Sequence, residues 1–220
     1  MFQIIKLDWS AIKYYRKRIF IILFCLLLVG YFSSIYVVPT STVLFFIFSL
    51  NPFAVEEKGN LIYLYLTLPV TRNSIVTGRY GLSLFMILGG IGAGIVLMPI
   101  INRISFSKWY PDFGWMTVIV VFSFFICSLL NFFMYPILFK LGYQKGRFWG
   151  FYLHTTILGS VCGAFLQYAS RPGRETLITD LLVYASEHLV LVCGGMLFLA
   201  FVLFIASYIL SLRFYNKREF

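Results

Sequence analysis

Apolar residues run through this chain in long unbroken stretches, separated by short clusters of charge. The stretches free of Asp, Glu, Lys and Arg are Ile19–Val55, Tyr80–Asn102, Phe113–Phe139, Phe148–Ser170 and His188–Leu212. A helix needs about 20 consecutive apolar residues to cross a bilayer. The first stretch is long enough for two crossings, with Val37-Val38-Pro39-Thr40 predicted as the tight external turn between them. Each of the others predicts one crossing. The pattern therefore predicts an all-α membrane protein with six transmembrane helices, forming one domain over residues 1–220.

Three shorter patterns lie between the spans. At the N-terminus, Phe2, Ile5, Trp9 and Ile12 form an apolar stripe beside Lys6, Lys13, Arg16 and Lys17, which predicts an interfacial helix before span one. Between spans five and six, Leu177, Ile178, Leu181, Leu182, Ala185 and Leu189 follow Pro172-Gly173 with helical period. This predicts a short external helix before span six. The third pattern is Glu56–Tyr80. Glu56 and Glu57 end span two, and Gly59-Asn60 lets the chain turn. Leu61–Leu68, including Leu64, Tyr65 and Leu66, is an apolar-aromatic stretch of about two helical turns. Pro69 stops it, because proline disfavours helical backbone in the residue before it. Thr71 is placed to cap the next helix by accepting from the N–H of Asn73 or Ser74, and Arg72 and Arg79 anchor the start of span three. A short helix joined rigidly to two spans can transmit a push, with its apolar residues in a partner's groove; the same pattern also fits a plain interfacial loop.

Composition and charge fix the solvent and the orientation. The 220 residues are 60% hydrophobic and 12% charged, against about 25% charged in a soluble domain. The formal charge is +10, and lysine and arginine are retained on the cytoplasmic side of a membrane. With the N-terminus inside, the inner segments hold Lys6, Lys13, Arg16, Lys17, Arg18, Lys58, Arg72, Arg79, Lys140, Lys145, Arg147, Arg213, Lys217 and Arg218. The outer segments hold only Arg103, Lys108, Arg171 and Arg174. The acids divide evenly between the sides, so the net positive charge lies on the inner face and both termini are cytoplasmic. Trp109, Trp115 and Trp149 fall at predicted interfaces, which tryptophan favours. The basic balance thus reads as membrane topology, not nucleic-acid binding.

The chemistry-bearing motifs are few. The chain has no glycine-rich phosphate loop followed by Lys-Ser/Thr and no GxGxxG, so it carries no nucleotide engine of that kind. Glu56-Glu57 resembles the paired glutamates of intramembrane CAAX-type proteases, but the position of the required arginine is Leu61. His154 and His188 lack the motifs such enzymes need, and two distant histidines make no zinc site. His154 lies inside span five, where an ionisable group is a functional candidate or a neutral, hydrogen-bonded interfacial residue. Asn131 in span four is placed to bridge helices. Cys25, Cys127, Cys162 and Cys193 have no metal or disulfide spacing. Gly90 and Gly94 in span three, and Gly159 and Gly163 in span five, are four apart, the spacing that lets helix backbones approach closely. They predict contacts within the bundle or a seam between copies. Pro99 and Pro136 are expected to kink or end helices.

The run Glu56, Glu57, Lys58, then Leu66, Leu68, Pro69, Val70, Thr71, Arg72, Ile75, Val76, Gly78, Arg79 and Tyr80, resembles the permease subunits of ABC type-2 exporters. The nearest resemblance is to the small six-span branch that includes permeases exporting phenol-soluble modulins. The resemblance covers the whole chain by topology and about 25 residues by motif. It implies a cytoplasmic coupling helix between spans two and three, docking on an ATPase through Glu56, Glu57, Leu61, Leu64, Tyr65, Leu66, Leu68, Pro69 and Arg72. It also implies two copies of a separate cytosolic ATPase subunit that binds ATP and Mg, a second permease copy, identical or paired, and a bacterial cell membrane. The chain itself would be no enzyme and would hold no cofactor. The substrate implied is an amphipathic, cytolytic or antimicrobial peptide. Two other readings share these features: an immunity exporter for a lantibiotic-type peptide, and a membrane scaffold or sensor that binds a cytosolic partner.

Overall fold

The computed structural model describes residues 18–58, 71–104, 111–169, 183–184 and 187–217. The described residues form helices and no strands. In chain order these are α1 (Arg18–Phe32), α2 (Val37–Phe48), α3 (Asn51–Lys58), α4 (Arg72–Ile104), α5 (Phe113–Leu141), α6 (Tyr143–Ala169) and α7 (Leu189–Asn216), with a 3₁₀ turn at Ser34–Tyr36. Four stretches among them are long and apolar enough to cross a membrane: Ser34–Glu57, Arg72–Ile104, Phe113–Leu141 and Leu189–Asn216. The predicted N-terminal interfacial helix, the predicted coupling helix Leu61–Leu68 and nearly all of the predicted external helix before span six lie outside the described residues.

The first turn lies earlier than the sequence predicts. The chain reverses at Ser33–Tyr36, and Val37-Val38-Pro39-Thr40 is the opening turn of α2. A proline in the first turn of a helix forfeits no intrahelical bond, because the first N–H groups have no partner in any case. Pro39 therefore starts a helix here. Pro52 acts differently. Its ring excludes the carbonyl four residues before it, which belongs to Phe48, and α2 ends at that residue. Tight turns at Ser49 and Leu50 then lead directly into α3. Helices α4 and α5 run on past Pro99 and Pro136, as transmembrane helices can when neighbouring helices supply partners.

Without a hydrophobic drive between helices in lipid, close backbone packing and hydrogen bonds hold a bundle together. Both are present. Helices α2 and α4 meet at Gly90 and Gly94: a Cβ at either glycine would come within 2.8 Å of the Cα of Thr42 or Val38 respectively. Ser41 Oγ donates to the Gly90 carbonyl across this contact at 2.7 Å. Helices α5 and α6 meet the same way, where a Cβ at Gly146 would lie 3.0 Å from Leu138 Cα and one at Gly150 would lie 2.8 Å from Met134 Sδ. Gly159 and Gly163 have nothing within 4 Å of such a Cβ among the described residues. Among the described residues, the small-residue contacts of α6 thus lie in its first half.

A polar thread ties α4, α5 and α7. Asn131 Nδ2 donates to Ser83 Oγ at 2.8 Å, joining α5 to α4. Ser207 Oγ on α7 donates to the Asn131 carbonyl at 3.0 Å and shares a 2.6 Å hydrogen bond with the Tyr80 hydroxyl. Ser211 meets the same hydroxyl at 2.8 Å. Around this thread the main core gathers Phe46, Phe53, Ile87, Phe124, Tyr135 and Phe139. A smaller cluster of Val37, Val38, Met98, Ile101 and Ile119 fills the opposite end.

Overpacking a close helix contact costs about 1–3 kcal/mol. Gly90→Val and Gly94→Val should therefore lower the thermal unfolding midpoint in detergent micelles, while Gly159→Val, with the same change in intrinsic propensity, should lower it less. Equal midpoints in all three would contradict the packing described.

Candidate functional site

The site lies where α3, the start of α4, the end of α5 and the start of α6 converge. Helix α3 is eight residues long, and its last turn carries Glu56 and Glu57 side by side. Consecutive residues on a helix point about 100° apart, so the two carboxylates serve different neighbours.

Glu56 faces inward. Its carboxylate forms an ion pair and hydrogen bond with the guanidinium of Arg79, two turns into α4. Both are buried, Glu56 at 6% and Arg79 at 2% relative exposure. The Arg79 guanidinium also lies 4.1 Å from the centroid of the Phe53 ring and 5.7 Å from that of Phe139. A charge removed from water is tolerable only when paired and hydrogen-bonded, and a cation gains further from an aromatic face when desolvated. Arginine suits this place because its planar fork can meet a carboxylate at its edge and a ring at its face.

Glu57 faces α6. Its Oε2 accepts from the backbone N–H of Gln144 at 2.9 Å. Gln144 is the second residue of α6, so the carboxylate satisfies one of the helix's unbonded amides and lies at the positive end of its dipole. The turn that brings this helix start into reach depends on Gly142, whose φ of 80° is a left-handed value open to glycine without penalty. Its N–H closes α5 on the Leu138 carbonyl at 2.9 Å.

The far side of the undescribed segment is held as well. Helix α4 starts at Arg72, directly after Thr71. Thr71 Oγ1 accepts from the Ser74 N–H at 3.4 Å. Arg72 Nη1 donates to the Asn216 carbonyl at 3.1 Å, placing a cation at the C-terminus of α7, where the dipole favours it. Asn216 Nδ2 in turn donates to Asn73 Oδ1 at 3.2 Å, and the Thr77 and Tyr208 hydroxyls meet at 2.9 Å.

A cavity of about 100 Å³ opens between these elements, lined by both glutamates, Arg79, Phe139, Tyr143 and Tyr215 among others. Among the described residues no group of three His, Cys, Asp or Glu could hold a metal ion.

The structure thus brings Glu56 and Glu57 together in one cavity and sets Arg72 apart, bonded to the C-terminus of α7. Leu61, Leu64, Tyr65, Leu66, Leu68 and Pro69 lie outside the described residues, as does the side chain of His154. Two residues matter more here than their sequence suggests. Arg79 reads as an interfacial anchor, yet it is the buried partner of Glu56; its signal was a charge embedded in the apolar sequence of α4 close to tyrosine and leucine. Gly142 gave the weaker sign of a lone glycine between Leu141 and Tyr143, which only the backbone angle explains.

The chain matches a family model described as "ABC-2 family transporter protein" over residues 3–216. No curated protein and no solved structure matches it.

Removing one partner of a buried ion pair leaves the other charge uncompensated, at a cost of about 3–5 kcal/mol. Glu56→Ala should therefore destabilise the protein strongly, and Glu56→Leu combined with Arg79→Leu should recover much of the loss. Thermal unfolding in detergent checks this. A double substitution no better than the single one would contradict an electrostatic origin.

Proposed function

The chain belongs to the ABC-2 transporter family, and from that premise we propose that it is the membrane permease of an ATP-driven exporter of amphipathic peptides. Family membership makes it a transporter subunit and not itself the ATPase. The finer reading adds six spans with both termini in the cytoplasm of a bacterial cell, a cytosolic ATPase in two copies that binds ATP and Mg, and a second permease copy.

The observation that carries this reading is how the two ends of segment 59–70 are held. The helix entering it is joined to α4 by Glu56–Arg79 and to α6 by Glu57, and the helix leaving it is joined to α7 by Arg72. A loop that merely connected two spans would need no such bracing. A segment that receives force does, since a push on a loosely held loop dissipates in the loop. In the proposed cycle, ATP closes the ATPase dimer, the segment around Leu61, Leu64, Tyr65, Leu66, Leu68 and Pro69 is displaced, and α3 and α4 tilt together. The interface with the second permease copy then shifts. Gly159 and Gly163, which face open space among the described residues, are placed on a surface that such a copy can approach closely.

The substrate class follows the family branch that the motif resembles. An amphipathic peptide would enter from the cytoplasm or the inner leaflet and leave outside.

Leu64→Asp with Leu66→Asp should abolish co-purification of the ATPase subunit and the stimulation of its ATP hydrolysis by amphipathic peptide in liposomes. The chain itself should still insert in the membrane. Intact co-purification and stimulation would overturn the coupling assignment, and a well-coupled complex that no amphipathic peptide stimulates would overturn the substrate class.

A further inference from the structure

The two glutamates at the end of α3 are held with very different strength. Glu56 is buried and ion-paired to Arg79, so separating them would strand two charges in an apolar surround. Glu57 is half-exposed, joined to α6 through a hydrogen bond to the Gln144 N–H. It borders a cavity of about 100 Å³. This gives its carboxylate room to turn away, and water can replace the amide as its partner. The contact is also made to backbone at a helix start, so it holds the position of α6 as a whole and not of one side chain.

Resting on the transporter reading above, we propose that Glu57 is a positioning residue that carries the displacement of segment 59–70 into α6. Glu56–Arg79 is the fixed joint, which makes the entering and leaving helices of the segment one body. Glu57 is the releasable joint, which engages α6 with that body. The geometry supports this division. The helix α3 is too short to act as a lever of its own, so a displacement at Lys58 moves both carboxylates together. Through Glu56 it reaches α4. Through Glu57 it reaches the first turn of α6, which the Gly146 and Gly150 contacts pack tightly against α5. A single push is thereby divided between two parts of the bundle.

Hydrogen exchange read by mass spectrometry on the permease–ATPase complex in lipid nanodiscs tests this, comparing the nucleotide-free state with the state trapped by ATP and vanadate. In the wild-type complex, amides at the start of α4 and at the start of α6 should both change their exchange on trapping. In Glu57→Ala the α4 change should persist and the α6 change should be lost. In Glu57→Gln, which keeps an acceptor oxygen but no charge, the α6 change should be reduced. A merely structural cap would behave otherwise: exchange at the start of α6 would rise equally in both nucleotide states and the response to trapping would remain. Full α6 responses in both variants would overturn the proposal, as would a wild-type complex in which α4 responds and α6 does not. A complex in which no part of the permease responds would instead overturn the transporter reading, and this proposal with it.

Discussion

The buried pair Glu56–Arg79 is the contact on which the architecture of this end of the molecule depends. In a chain that is 60% hydrophobic, two charges well inside the bundle are costly unless each neutralises the other with good geometry. That requirement fixes the position of α3 on α4 more strictly than apolar packing could, since apolar side chains tolerate sliding and an ion pair does not. It also organises the rings around it. Phe53 and Phe139 stack edge to face at 5.0 Å and flank the guanidinium, and Tyr80, the residue after Arg79, lies 4.9 Å from the Tyr135 ring. The arginine therefore links α3 to the aromatic core of the bundle.

Beyond this pair the bundle is held by contacts suited to lipid. Glycines let α2 approach α4 and let α6 approach α5, and serines, Asn131 and Tyr80 join α4, α5 and α7 by hydrogen bonds that water does not contest. The opposite end has a smaller, wholly apolar cluster. The protein is thus braced by charge and hydrogen bonds where segment 59–70 enters and leaves it, and valine, isoleucine and methionine side chains pack together at the other end.

Much of the helical plan was legible, because charge-free runs and helix length are bound together by the thickness of a bilayer. Asn131 bridges α5 and α4 as its place in the sequence predicts, since a lone amide in an apolar run has few other ways to be satisfied. The first turn lies earlier than Pro39 suggests, at Ser33–Tyr36. A run without charges or glycine near its centre gives no other punctuation, and proline at the start of a helix looks the same in sequence as proline in a turn. The glycine contacts show a related limit. Four-residue spacing appears at 146 and 150 as well as at 159 and 163, and only the position of the neighbouring helix distinguishes them. Adjacent glutamates at the end of a span read as helix-end or docking residues, and nothing in the local pattern shows that one faces an arginine 23 residues later in the chain. The pairing depends on tertiary structure alone.

The central claim is that Glu56 and Arg79 act as one unit that fixes α3 to α4. A double-mutant cycle built from Glu56→Gln, Arg79→Gln and the double substitution measures this directly, with unfolding free energies read in a common detergent. Residues that share a buried ion pair should show an interaction energy of about 1–3 kcal/mol. Additivity within about 0.5 kcal/mol would mean that the two side chains act independently, and it would contradict the account.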